Sequence, residues 1–298
     1  MSIRNIVKVM NFHALIRVDN AKRKADKYRM MEEQLYRMMD VIMNNRNLIL
    51  DKKVMEPNPN APEIQIYIGS DFGFCSNYNS QMNERLNRAG ADAEKILIGR
   101  KLISHEDQKI AIRTTAGDLE RNLPEIRQFL ETRIRERSCS KISIIYNHYE
   151  NTTTIYAKNL TVYPVTRREE SDQKTDGTQK NNSLDYTGDF AVEGDINQLM
   201  MQLISSYVNY ELLLALVNSR AAENILRQNA TTDSLKKIDE MEEELNETKR
   251  KAKKEVDEVK RKAKEEIEEA EKRAKAAEEE TERLRRTLEE QKGKRDIS

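Results

Sequence analysis

An α/β domain joined to a long coiled coil is the fold class this sequence predicts. Both ends lack helix breakers: no glycine or proline occurs between Met1 and Glu56, or between Gly194 and Gly293. These two residue types interrupt helices most strongly. The centre instead alternates apolar and polar residues, as half-buried strands do. Charged residues make up 35% of the 298 positions, aromatic ones 5%, and tryptophan is missing. Such a chain cannot cover long helices with core of its own, so a rod made by pairing its first and last segments is expected.

The first segment, residues 1–56, carries Ala21, Ala25, Tyr28, Met31, Leu35, Met38 and Ile42 at helical spacing. Asn58, Pro59, Asn60 and Pro62 then end the helix. An α/β domain is expected over 57–166. Ile64, Ile66 and Ile68 alternate with Gln65 and Tyr67 as a first strand. A helix over Ser76–Leu86, a strand over Glu94–Ile98, a helix over Asp118–Arg137 and strands over Lys141–Tyr146 and Thr152–Val165 follow. Strand–helix–strand order favours a largely parallel sheet. Residues 167–194 read as a polar loop, richest over Arg167–Thr187.

A shaft helix is expected over 195–252, with Asp195 as its N-cap. Ile196, Leu199, Leu203, Tyr207, Tyr210, Leu214, Val217, Ala221 and Ile225 form its stripe. The stripe thins past Ala252, and residues 253–298 read as a charged helical extension. From Thr248 to Ala270 the apolar steps are two eleven-residue repeats, which favour a nearly straight coil. Acid-first pairs such as Asp257–Arg261, Glu258–Lys262, Glu269–Arg273 and Glu282–Arg286 support it with roughly 2 kcal/mol in total.

Several function classes find no support. The 52 basic and 52 acidic residues cancel, against the basic excess of a nucleic-acid partner. No G-x-x-x-x-G-K-[ST] loop occurs, and no G-x-G-x-x-G follows a strand. His13, His105 and His148 are scattered without ligand spacing, so no metal site is expected. Cys75 and Cys139 are too few for a disulfide framework. No catalytic or cofactor-binding residue is expected. The longest uninterrupted apolar run is Leu212–Val217, short of a membrane span, and the start has no signal-peptide pattern.

The turn Ser70-Asp71-Phe72-Gly73-Phe74-Cys75-Ser76-Asn77-Tyr78-Asn79 resembles the S-D-R-G-L-C-G-x-[FY]-N turn of the γ subunit of F-type ATP synthase. Ser219-Arg220-Ala221-Ala222-Glu223 with Arg227 is similar to that family's S-x-A-S-E-x-x-A-R helix. Ala230-Thr231 follows where the family has A-T-D-N-A, and Tyr146-Asn147-His148-Tyr149 resembles its Y-N-x-F strand end. Ile6, Val9, Asn11 and Leu15 fall where I-x-x-V-x-N-T-x-K-I would put them, and Lys249-Arg250-Lys251-Ala252 loosely matches an R-Q-A segment. The resemblance spans roughly residues 3 to 250, in order.

It implies that the terminal helices form an antiparallel coiled-coil shaft inside a ring of α and β subunits. It also implies that the α/β domain contacts ε and the c-ring, on the cytoplasmic side of the membrane, peripherally. ATP chemistry would belong to the ring. Ile6, Val9, Asn11, Leu15, Ser219, Glu223, Arg227, Ala230, Thr231, Lys249 and Arg250 become subunit-contact candidates, and Ser70, Asp71, Gly73, Cys75 and Asn79 the signature turn. The family's T-K-A-M-x-M-V-A is replaced by the far more charged Arg17-Val18-Asp19-Asn20-Ala21-Lys22-Arg23-Lys24. Its E-P-S turn becomes Val192-Glu193-Gly194-Asp195, and its short apolar tip becomes the 46 residues Lys253–Ser298. The extension would need a partner outside an apolar bearing. Two other readings follow from these departures: a γ-like shaft driving another machine, or a non-rotary coiled-coil adaptor with an α/β binding module.

If the extension is an added module, truncation after Ala252 leaves the α/β domain folded. Calorimetry should show an unchanged thermal transition for its sheet; global unfolding of the shortened chain is the contrary result.

Overall fold

The computed structural model describes residues 3–45, 47–166 and 192–295. It divides into two compact units, one through Leu235 and one from Lys236 onward. The polar loop expected over Arg167–Thr187 lies outside the described residues.

The first unit begins with helix α1, Ile3–Asn44, which is 42 residues long. It ends well before the Asn-Pro cluster. A short helix α2, Lys52–Met55, intervenes before strand β1, Glu63–Ile68. Helix α3 (Tyr78–Arg88), β2 (Glu94–Ile98), β3 (Ile110–Thr114), α4 (Leu119–Arg135), β4 (Lys141–Tyr149) and β5 (Ile155–Tyr163) follow. Helix α5 runs from Ile196 to Arg295, and its last sixty residues form the second unit. Asp195 caps it: its Oδ1 accepts the Asn197 N–H at 2.9 Å, satisfying a donor the first turn leaves orphaned.

The sheet has the order β3-β2-β1-β4-β5, with β5 alone antiparallel to its neighbour. Sequence reading missed β3. Only its last residue is buried and the rest are half-buried or exposed, so its apolar signal is weak. Alternation along β1, β2 and β4 supplies both sheet faces. Ile64, Ile66, Ile96, Ile98, Ile142, Ile144 and Tyr146 pack against α4 and the start of α5. Tyr67, Leu97 and Ile145 point the other way, onto Met82 and Leu86 of α3. Gly99 closes the β2 end at φ 122°, and a Cβ there would stand 2.7 Å from the Gly69 carbonyl carbon. Only glycine combines that backbone with that approach.

Helices α1 and α5 run antiparallel. Asn11 reaches Gln228, Thr231 and Thr232, Ala21 and Ala25 pack on Val217 and Ala221, and Tyr28 and Tyr36 meet Tyr210 and Tyr207. The buried face of α1 is Ala14, Val18, Ala21, Ala25, Glu32, Met39 and Ile42. Met31 and Met38, expected on it, are 43% and 50% exposed. Steps of three and four fit a helix equally well; the packing of the folded protein, and not α1's own composition, selects Glu32 and Met39. Within α5 a window is apolar enough by composition to span a membrane, but 61% of it is buried inside the protein. It is a core helix, wrapped by the sheet on one side and α1 on another.

His148 sits at the end of β4 between the rings of Tyr146 and Tyr156. Burial, then the charges of Lys158 and Arg29, lower its pKa to about 4. A depressed imidazole pKa gives a contribution that is complete above the unfolded value near 6.5 and is lost as pH falls through about 4. Urea unfolding at stepped pH across that window should therefore show declining stability, and His148→Gln should flatten the decline. An unchanged slope would assign the loss to other groups.

Candidate functional site

Strand β1 runs into the signature turn, which is built almost wholly from side-chain hydrogen bonds. Asp71 Oδ1 accepts the N–H groups of Arg100 at 2.9 Å and Ala116 at 3.0 Å, and Oδ2 accepts that of Gly117 at 3.0 Å. One carboxylate thus joins the carboxyl ends of β1, β2 and β3. Burial pushes its pKa up, but these three N–H donors and the Arg100 charge outweigh burial and hold it below the usual carboxylate range. Asn79 Oδ1 accepts the Ser70 N–H at 3.0 Å, while its Nδ2 donates to Ser70 Oγ at 2.8 Å. The left-handed residues are Phe74 (φ 57°) and Ser76 (φ 52°). Gly73 has open space where a Cβ would stand, so neither its conformation nor its surroundings demand glycine.

From this turn α3 begins with Tyr78, which is fully buried. Its phenol hydrogen-bonds the Ser219 hydroxyl and donates to the Ser219 carbonyl at 3.3 Å. Asn147 of β4 donates from Nδ2 to the Tyr78 carbonyl at 3.2 Å. Cys75, Tyr78 and Ala222 form one buried cluster. Three segments far apart in sequence therefore meet at Tyr78, α5 on its phenol and β4 on its backbone carbonyl. Burial, with the Glu223 charge beside it, raises the Tyr78 pKa far above the ordinary range, so the ring stays neutral. Tyr78 and Asn147 were absent from the candidate residues; their places in the matched turn and strand end were the available signal.

One turn along α5, Arg227 Nη2 donates to Glu223 Oε1 at 2.5 Å, with both residues 8% exposed. Burial raises the Glu223 pKa despite the opposing Arg227 charge. Thr231 Oγ1 donates to the Arg227 carbonyl at 2.9 Å and accepts from Asn11 Nδ2 at 3.1 Å. Asn11, Glu223, Arg227 and Thr231 are thus brought together, and Ser219 lies one turn away. Ala230 is half-buried beside them. Ile6, Val9 and Leu15 are exposed, as are Ile3, Phe12 and Ile16 on the first turns of α1. Lys249 and Arg250 lie in the second unit and are exposed there.

A cleft of about 470 Å³ opens where α1, α5 and the three strand ends converge. Arg17, Lys24, Arg100, Arg220 and Arg227 line it, against Asp71 and Glu223. Asp71 is engaged by backbone and Glu223 by Arg227, so the open part of the cleft is cationic. Such a surface draws acidic groups. Among the described residues no group of three or more His, Cys, Asp or Glu could hold a metal ion.

A family model described as ATP synthase matches residues 1–256. The ATP synthase γ chain of Mycoplasmoides gallisepticum is 23% identical over 250 residues, covering 79% of this chain and 83% of that protein. That of Sulfurovum sp. is 25% identical over 275 residues, covering 85% and 90%. This chain belongs to the ATP synthase γ family. The central stalk and c-ring structure of Tetrahymena thermophila mitochondrial ATP synthase contains a chain with the same fold. Its TM-score is 0.52 at 18% identity, covering 77% of this γ chain and 99% of that one. Family members are non-catalytic subunits of the central stalk.

The buried pair in this γ chain should couple strongly. Arg227→Met leaves Glu223 buried without its partner and should cost about 3 kcal/mol in urea unfolding. The double variant Glu223→Gln with Arg227→Met should recover most of it. Equal losses in single and double variants would show no coupling.

Proposed function

We propose that this γ chain is the rotor shaft of an F-type rotary ATPase. In that role it couples ATP synthesis or hydrolysis in a ring of α- and β-like subunits to rotation and ion translocation. The observation that carries the reading is the antiparallel pairing of α1 with α5, tied to the sheet through Tyr78, Ser219 and Asn147. A shaft must transmit torque without shearing from its foot, and a buried polar junction resists such slip. The paired helices differ around their circumference: a basic cleft, a charged first helix and an apolar end occupy different parts of the surface. An asymmetric shaft stabilises different conformations in neighbouring ring subunits, and turning it cycles those preferences.

In this reading Ile6, Val9 and Leu15 with the cleft cations face the ring. The signature turn around Asp71 fixes the α/β domain, whose outer surface meets ε and the c-ring on the cytoplasmic face of the membrane. Residues 195–252 serve as shaft and 253–298 as an extension. One observation favours a variant in which the shaft also works on another machine: every described residue from Asp239 to Arg286 is exposed, whereas an apolar bearing would need an apolar tip.

Locking the shaft tests the reading. Leu15→Cys, cross-linked to a ring subunit in the reconstituted complex, should reduce ATP turnover to background, with recovery on reduction. Cys75 and Cys139 are buried and should not compete. Full turnover with the cross-link in place would overturn the rotor.

A further inference from the structure

The second unit repeats itself. Lys249–Val259 and Lys260–Ala270 are identical at seven of eleven positions, and basic blocks begin at Lys249, Lys260, Lys272 and Arg283. Acidic blocks fill the gaps: Glu255–Glu258, Glu265–Glu271 and Glu278–Glu282. Blocks of about half that repeat set opposite charges four residues apart. From Glu247 to Arg286, fifteen i,i+4 pairs are attractive and five repulsive. Closed ion pairs among the described residues include Glu258–Lys262 at 3.2 Å, Glu269–Arg273 at 2.9 Å, and Arg261–Glu265 and Glu282–Arg286 at 3.9 Å.

The apolar stripe of the same stretch is poor. Between Thr248 and Thr281 its ten positions hold only three large side chains, Val256, Val259 and Ile267, and those are 51%, 66% and 59% exposed. Alanines occupy five of the others, at 252, 263, 270, 274 and 277. Alanine is the best helix former but buries little against a partner. Composition thus favours helix while withholding the seam a coiled coil needs. Both signs of charge also recur around the whole circumference, which marks a salt-bridge-laced, solvated helix.

We infer that Glu247–Arg286 is an autonomous single α-helix, a stiff spacer held by its own charge ladder and needing neither a second copy nor a partner helix along its length. It goes beyond the rotor reading and does not depend on it. A spacer of this kind confines any docking to its far end, where Leu284 again presents a large apolar side chain.

Two variants of the full chain test it, read by segmental hydrogen exchange and sedimentation, with the first unit as internal reference. Val256→Ala, Val259→Ala and Ile267→Ala together remove the stripe. Exchange across 247–286 and the sedimentation coefficient should stay unchanged; faster exchange there, or a shift from two copies to one, would overturn the spacer. Glu258→Lys, Glu269→Lys and Glu282→Lys reverse three ladder contacts. Exchange near each should quicken by about threefold, with the first unit unaffected. An unaltered pattern would also overturn it, since the ladder would then hold nothing.

Discussion

One buried tyrosine ties the signature turn, the sheet and α5 of the first unit to one another. Tyr78 opens α3, closes the signature turn, hydrogen-bonds Ser219 in the first quarter of α5 and takes Asn147 of β4 on its carbonyl. Buried polar groups without partners cost free energy, so each of these contacts constrains the other two. The sheet cannot slide along α5 without breaking the phenol contact, and α5 cannot rotate without exposing Ala222 and unseating Cys75. The pairing of α1 with α5 builds outward from that fixed point, through small residues near it and tyrosines farther along.

Around the junction the electrostatics are arranged in shells. Innermost is the neutral phenol, raised well out of its titration range by burial. Next comes the Glu223–Arg227 pair, whose charges cancel in a place where neither could stand alone. Outside lies the cleft with its surplus of arginine and lysine. Asp71 sits in that cleft as a strut: three backbone N–H groups hold its carboxylate, so it joins strand ends, and the cations still outnumber the two acids of the lining. A γ chain with this arrangement has a rigid interior and a surface able to read acidic partners.

The second unit is stabilised by different physics. In the first, helices persist because they bury apolar faces; from Asp239 to Arg286 every residue is exposed. Local ion pairs are each small, but a ladder of them adds along one chain without any loop to close. The family match ends at residue 256, inside the first of the eleven-residue repeats, so the ladder lies mostly beyond what the γ family shares.

Much was legible beforehand. Breaker-free ends predict long helices, because glycine and proline carry local backbone costs that no context removes. Alternation at Ile64–Ile68 predicts a strand, and Asp195 the cap of α5, for equally local reasons. What depended on partners was not legible. Glu32 and Met39 displaced Met31 and Met38 because two helical faces about 100° apart fit the same periodicity, and only packing against the rest of the fold chooses. β3 escaped because an edge strand needs no continuous apolar run. The bonds of Asp71, Tyr78 and Asn147 join residues tens to more than a hundred positions apart, and no spacing rule reports such meetings. Local chain preference was decided by the sequence alone; which charged and polar groups became neutral, paired or exposed was decided by the tertiary structure, since desolvation exists only once the chain has closed around them.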